Sequence, residues 1–155
     1  MLFRSIVLAE PDYREAVLRL YEPTPRVALG QALRGLATAA IDISDGLLAD
    51  LTHICRLSGV GATVDLNSVP VSGIGAKHIH SDEGRNAIMA GGDDYELCFT
   101  AHPNSRESIE DLTDVLGIPI TRIGQIKRGK GVSLLGTDGK PVKIDGRGYD
   151  HFKEP

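Results

Sequence analysis

The feature that most constrains this chain is the run Ala-Ala-Ile-Asp-Ile-Ser-Asp-Gly-Leu-Leu at positions 39–48. An apolar stretch closes on Asp42, then Ser44, Asp45 and Gly46 follow, and an amphipathic pattern begins at Leu47. A buried strand thus delivers two carboxylates and a hydroxyl to one edge of a sheet. Ser44 is expected to cap the following helix, and Asp45 to complement its dipole. Strand ends that feed helix N-termini are where open α/β sheets bind ligands. Two carboxylates there suit a hard cation such as Mg2+, held together with a substrate's phosphates. Capping alone is the competing reading. Asp42 weighs against it, because a carboxylate that closes an apolar strand needs a partner. A phosphate-handling enzyme is therefore the first functional expectation.

The rest of the pattern alternates helices and strands. Residues 1–22 read as a lead-in segment with a short helix from Asp12 to Tyr21. Thr24 and Pro25 are expected to open a second helix as N-cap and first residue. The helix after Ser44 has Leu47, Leu48, Leu51, Ile54, Cys55 and Leu57 as its apolar stripe and stops at Gly59. Gly61–Leu66 alternates as a strand, 67–80 reads as a loop, and Asp82–Ala90 is helical up to Gly91-Gly92. Tyr95–Ala101 is a second core strand. A helix capped by Asn104 or Ser105 runs to Leu116 with Ile109, Leu112, Val115 and Leu116 inward. Pro119–Ile126 is a strand, and 132–135 pairs with 142–144 around Asp138-Gly139, whose glycine supports a hairpin turn. This order predicts an α+β class with helices packed on a mixed sheet.

At 155 residues one domain with a real core is expected. With 41% hydrophobic and 25% charged residues and a net charge of −4, the chain has ordinary globular usage. No basic stripe points to nucleic acid, and no apolar stretch approaches a membrane span. The start is too short and poorly flanked for a signal peptide. Cys55 and Cys98 form no CxxC pair and sit in apolar segments, as reduced core thiols in a cytoplasmic protein do. No GxxxxGK[ST], GxGxxG opening a helix, GxSxG or HExxH occurs, so a nucleotide site could be only partly present here.

Three further constellations have both bland and functional readings. Gly91-Gly92-Asp93-Asp94 is a helix stop and turn, or a close backbone approach that aims two acids from the start of a strand. Gly148-Tyr149-Asp150-His151-Phe152 pins a C-terminus, or offers Tyr149 as a platform for a flat cationic ring. His78 and His80 are read as loop histidines rather than metal ligands.

These motifs together resemble one family. Pro23-Thr24-Pro25-Arg26-Val27, Ala40-Ile41-Asp42-Ile43-Ser44-Asp45-Gly46-Leu47, Gly91-Gly92-Asp93-Asp94-Tyr95-Glu96-Leu97 and Gly148–Phe152 follow the order and spacing of thiamine-monophosphate kinases. Those enzymes are grouped with aminoimidazole ribonucleotide synthetase, selenophosphate synthetase and a hydrogenase maturation factor. The resemblance implies that residues 23–155 are a C-terminal domain, a three-layer α/β/α unit, whose N-terminal ATP-binding partner domain is absent. It implies transfer of a phosphoryl group from ATP to thiamine phosphate, giving thiamine diphosphate. By the same resemblance Asp42 and Asp45 hold Mg2+, Ser44 contacts ATP, and Asp93 and Tyr149 contact thiamine phosphate. Asp93 stands where the family often has Glu, one methylene longer. The acceptor oxygen is already ionised at neutral pH, so no side chain is assigned as a general base. The domain alone is expected to be inactive. An apolar patch around residues 36–46 is expected, with self-association into a homodimer as one way to cover it. Another member of the superfamily and a non-catalytic binding domain are the alternatives.

Overall fold

The computed structural model describes residues 14–143, the side chains of 14–16 and Ile74 apart. Its helices are α1 (Arg14–Tyr21), α2 (Val27–Ala32), α3 (Leu47–Ser58), α4 (Gly73–His78), α5 (Asp82–Ala90) and α6 (Arg106–Leu116). Its strands are β1 (Ala37–Asp42), β2 (Gly61–Asp65), β3 (Leu97–Ala101), β4 (Gly124–Lys127), β5 (Gly131–Leu135) and β6 (Pro141–Val142). β1 and β3 form an antiparallel ribbon in which Asp42 stands opposite Leu97 and Ile41 opposite Cys98. The other strands form a mixed sheet in the order β4-β2-β5-β6, with β2 parallel to β5 and its remaining pairs antiparallel.

The ribbon divides the core because its side chains alternate between faces. Ile41 and Cys98 join a cluster with Leu47, Leu51 and Cys55 of α3, Ala62 and Val64 of β2, Met89 of α5 and Leu134 of β5. Leu97 and Phe99 pack on the other side with Leu29, Leu33, Ile109 and Leu112. Helices thus cover both faces of the ribbon, an α/β/α stack, and α3 also packs against β2 and β5. The expected α+β class with a mixed sheet holds. No helix among the described residues is long and apolar enough to cross a membrane. Both cysteines are buried and unpaired.

Several local expectations are corrected. Ser44 does not cap α3. Gly46 holds the N-cap position, with no side chain in that role. Thr24 and Pro25 lie outside α2, which begins at Val27 after Arg26. Thr24 precedes a proline, which biases it toward extended backbone. The 67–80 segment is not all loop: a 3-10 turn at Leu66–Ser68 and α4 lie within it, α4 capped by the Ser72 hydroxyl, which accepts from the Gly75 N–H at 3.1 Å. The strand expected over Pro119–Ile126 is shorter, Gly124–Lys127, preceded by one backbone bond from the Asp65 N–H to the Ile123 carbonyl at 2.8 Å. Leu57 and Val115, assigned to apolar stripes, are exposed; both face away from the side of their helix that packs.

Candidate functional site

β1 ends where β3 begins, so the turns that leave one and enter the other meet at one end of the ribbon. Backbone bonds extend the ladder past the strands. The Ile43 N–H donates to the Glu96 carbonyl at 2.8 Å, and the Tyr95 N–H to the Ile43 carbonyl at 2.9 Å. The Asp93 N–H donates to the Ser44 carbonyl at 3.0 Å. The sequence predicted that the diglycine lets the backbone approach something closely. That something is Ser44: a Cβ on Gly92 would collide with its carbonyl oxygen. Gly46 meets α5 in the same way, since a Cβ there would lie 2.8 Å from the Ala90 carbonyl carbon.

The docking bends the second turn into an unusual shape. Asp93 has φ 71° and Tyr95 φ 51°, both left-handed. For a residue as bulky as tyrosine this conformation is strained and persists only where surroundings impose it. Here the two amide bonds to Ile43 and Ser44 do so. The Tyr95 hydroxyl donates to Asp93 Oδ1 at 3.3 Å. That bond, the Asp93 charge and, further off, Asp42 raise the Tyr95 phenol above its ordinary pKa. Asp94 is raised by desolvation, against the opposing pull of Arg19.

A cleft of about 350 Å³ opens beside this junction, lined by Pro23, Pro25, Arg26, Val27, Gly30, Asp42, Tyr95 and Leu97. Its wall is mostly apolar, and Val27 is 63% exposed. An apolar surface beside Asp42 thus exists, built from α2, its approach, Tyr95 and Leu97; of residues 36–46 only Asp42 lines it. At the cleft wall, Arg26 grips Glu96 through Nε and Nη2, each at 2.8 Å, and Arg19 joins the same carboxylate. The Arg26 bonds, and those of Arg19, hold the Glu96 carboxyl below its usual range, against its partial burial.

Asp42 is exposed on β1, on the face shared with Thr38 and Ala40. Ser44 and Asp45 are half-buried. Asp42, Ser44, Asp45 and Asp93 therefore belong to one end of the ribbon, whereas Tyr149 lies outside the described residues. Asp45 also has two neighbours that the sequence reading missed. One ligand-capable atom from each of Asp45, Asp50 and His53 lies within 4.8 Å of the others, and Asp42 is not in that cluster. Asp50 is only 2% exposed. Its Oδ2 accepts the N–H groups of Ser44, Asp45 and Gly46 at 3.0, 3.1 and 3.2 Å. A signal existed: Asp50 falls three residues after Leu47 and four before Ile54, an acid on the buried stripe of an amphipathic helix. For a hard cation the oxygen donors of Asp42 and Asp45 are of the right kind. Asp50 Oδ2 already serves three amides, and a histidine nitrogen is a poor match for Mg2+.

The family model for the AIR synthase related protein, C-terminal domain, matches residues 8–136. The chain belongs to this family. A thiamine-monophosphate kinase of Salmonella typhimurium strain LT2 is 43% identical over 153 residues, which is 98% of this chain and 47% of that protein. The crystal structure of a thiamine-monophosphate kinase from Stenotrophomonas maltophilia K279a superposes with a TM-score of 0.76 at 47% identity, over 86% of this chain and 42% of that one. AaThiL complexed with AMPPCP and TMP gives 0.73 at 29% identity, over 92% and 43%. The hydrogenase maturation protein HypE of E. coli, at 21% identity and a TM-score of 0.61, shares the fold. The AIR synthase related C-terminal domain described here spans about half the length of the curated relatives it matches.

Proposed function

We infer that this chain is the C-terminal half of an ATP-dependent kinase that converts thiamine phosphate to thiamine diphosphate, working in the cytoplasm. The observation that carries this reading is the junction of the two acidic turns: backbone bonds from Asp93 and Tyr95 to Ser44 and Ile43 bring two separate acidic motifs to one ribbon end, beside an apolar cleft. Relatives named for this activity match nearly the whole chain, and a neighbour of similar fold carries AMPPCP and TMP.

In this reading residues 23–155 form the C-terminal domain, and an N-terminal ATP-binding domain is its partner, with a homodimer as the wider assembly. Asp42 and Asp45 would hold Mg2+, which neutralises charge between two polyanions when bound. Ser44 faces ATP. Asp93 and Tyr149 contact thiamine phosphate, an anion and an aromatic face suiting its cationic thiazolium and flat pyrimidine. The acceptor oxygen is already ionised, so these side chains bind and align rather than move a proton. Holding donor and acceptor in line supplies most of the rate in such transfers.

The test joins this chain to the N-terminal half of the Stenotrophomonas relative and follows thiamine diphosphate by chromatography. The reading expects formation that requires ATP, Mg2+ and thiamine phosphate, and none from the 155-residue chain alone. A folded chimera that ignores thiamine phosphate would refute it. In the active chimera, Tyr149→Ala should raise the thiamine phosphate KM about 10-fold, the size of one partly desolvated cation–π contact, and leave the ATP KM in place.

A further inference from the structure

We propose that Asp50 is a positioning residue that shapes the site without touching substrate, an inference that rests on the kinase reading above. Its carboxylate gathers the N–H groups of Ser44, Asp45 and Gly46, three successive donors, onto one oxygen. Hydrogen bonds to an ionised acceptor are about twice as strong as neutral ones. Asp50 sits in the first turn of α3, and its own N–H donates to the Gly46 carbonyl at 3.0 Å. The chain from Ser44 to Asp50 is therefore closed into a ring by bonds at both ends. No side chain from outside the helix is needed to hold this turn, which explains why Ser44 is released from the capping role its position suggests.

The consequence reaches the second turn. Ser44, fixed through its N–H by Asp50, accepts the Asp93 N–H with its own carbonyl. Ile43 links in the same way to Tyr95 and Glu96. The left-handed conformations of Asp93 and Tyr95 are imposed by these bonds. One buried carboxylate thereby sets the placement of Asp45 and Ser44 directly and of Asp93 at one remove. A strained turn held by a single scaffold relaxes when the scaffold is altered. Asp50 is only 2% exposed, so it orients the turn that carries Ser44 and Asp45 rather than offering its own carboxylate to a ligand.

Asp50→Asn separates this role from two others. In the chimera, at a temperature where circular dichroism shows the variant folded, kcat should fall at least 10-fold. In the 155-residue chain, the amide signals of Ser44, Asp45 and Gly46 should move and lose hydrogen-exchange protection, with Asp93 and Tyr95 following, while those of β2 and β5 stay. A purely structural role would lower Tm and leave kcat of the folded enzyme unchanged, which overturns the proposal. A direct metal-ligand role would lower kcat while leaving the five amides of the metal-free chain unmoved, which also overturns it. If Asp50→Asn does not fold, the unaltered chain decides. Amides 44–46 exchanging as fast as open loop amides refute the proposal, and protection comparable to that of the ribbon supports it. An inactive unaltered chimera would count against the kinase reading alone, since the amide measurement needs no activity.

Discussion

Gly46→Ala tests how tightly the β1–α3 turn is seated. Gly46 has φ 118° and ψ 146°, a region that is essentially glycine's own. Forcing alanine into it costs about 1–3 kcal/mol. The new methyl would lie 2.8, 2.9 and 3.0 Å from the carbonyl carbon, carbonyl oxygen and Cα of Ala90. Those are backbone atoms at the end of α5, so no side chain can swing aside. Overpacking of this kind costs about 1–3 kcal/mol. Some relief comes if the last turn of α5 shifts, which places the sum near 3 kcal/mol. For a domain of this size each kcal/mol lowers Tm by about 2–4 °C, so a loss of roughly 6–12 °C is expected. Gly59→Ala is the control. It too is left-handed, at φ 67°, but a Cβ there meets nothing within 4 Å. Its cost should be the conformational one alone, about 1 kcal/mol. Urea and thermal unfolding followed by circular dichroism read both. Equal losses in the two variants, or a Gly46→Ala loss under 1 kcal/mol, would refute the close approach of the turn to α5.

Three other outcomes follow from the same geometry. Glu96 has a lowered carboxyl pKa in the fold, so the unfolded chain binds more protons as pH falls. The stabilisation is present above the ordinary glutamate range and disappears as pH drops through the folded value; Glu96→Gln should flatten that acid limb and cost about 1 kcal/mol or less at pH 7, because the pair is partly solvated. Constancy of the acid limb in the variant would contradict this. Burial pushes the Cys98 thiol to about 11, with Asp50 and Cys55 adding to the rise, and burial raises Cys55 too; neither should react with a thiol reagent at pH 8 until denaturant is added, and stoichiometric labelling of the native chain would show the core to be open. Asp42→Asn, at an exposed strand end, should change Tm by less than 2 °C yet lower turnover of the chimera at least 10-fold. A large Tm loss with unaltered turnover would make Asp42 a structural residue.

Much of this architecture is legible in the chain alone, for local reasons. The α3 pattern, the Gly59 stop, the Asp82–Ala90 helix and the junction of Asp42 with Ser44-Asp45-Gly46 depend on period and breakers within a few residues. Even the diglycine's close approach was foreseeable, since only glycine tolerates it. The motif order was enough to suggest the family. What stayed hidden depends on which groups meet once the chain is folded. Ser44 has the residue type of an N-cap, yet Asp50 in the first turn of α3 gathers the amides of Ser44, Asp45 and Gly46, and Gly46 takes the cap position. An acid on the apolar stripe at position 50 hinted at it without naming its partners. Arg26 and Glu96 lie 70 residues apart, and their ion pair arises only because α2 packs over the start of β3. The positive φ of Tyr95 runs against its own preference and holds because Ile43 and Ser44 lie opposite. Sequence by itself determined which groups this chain carries and which helices and strands present them. Tertiary structure decided which of those groups meet, because hydrogen bonds and burial between distant segments override weak local propensities of about 1 kcal/mol or less per residue.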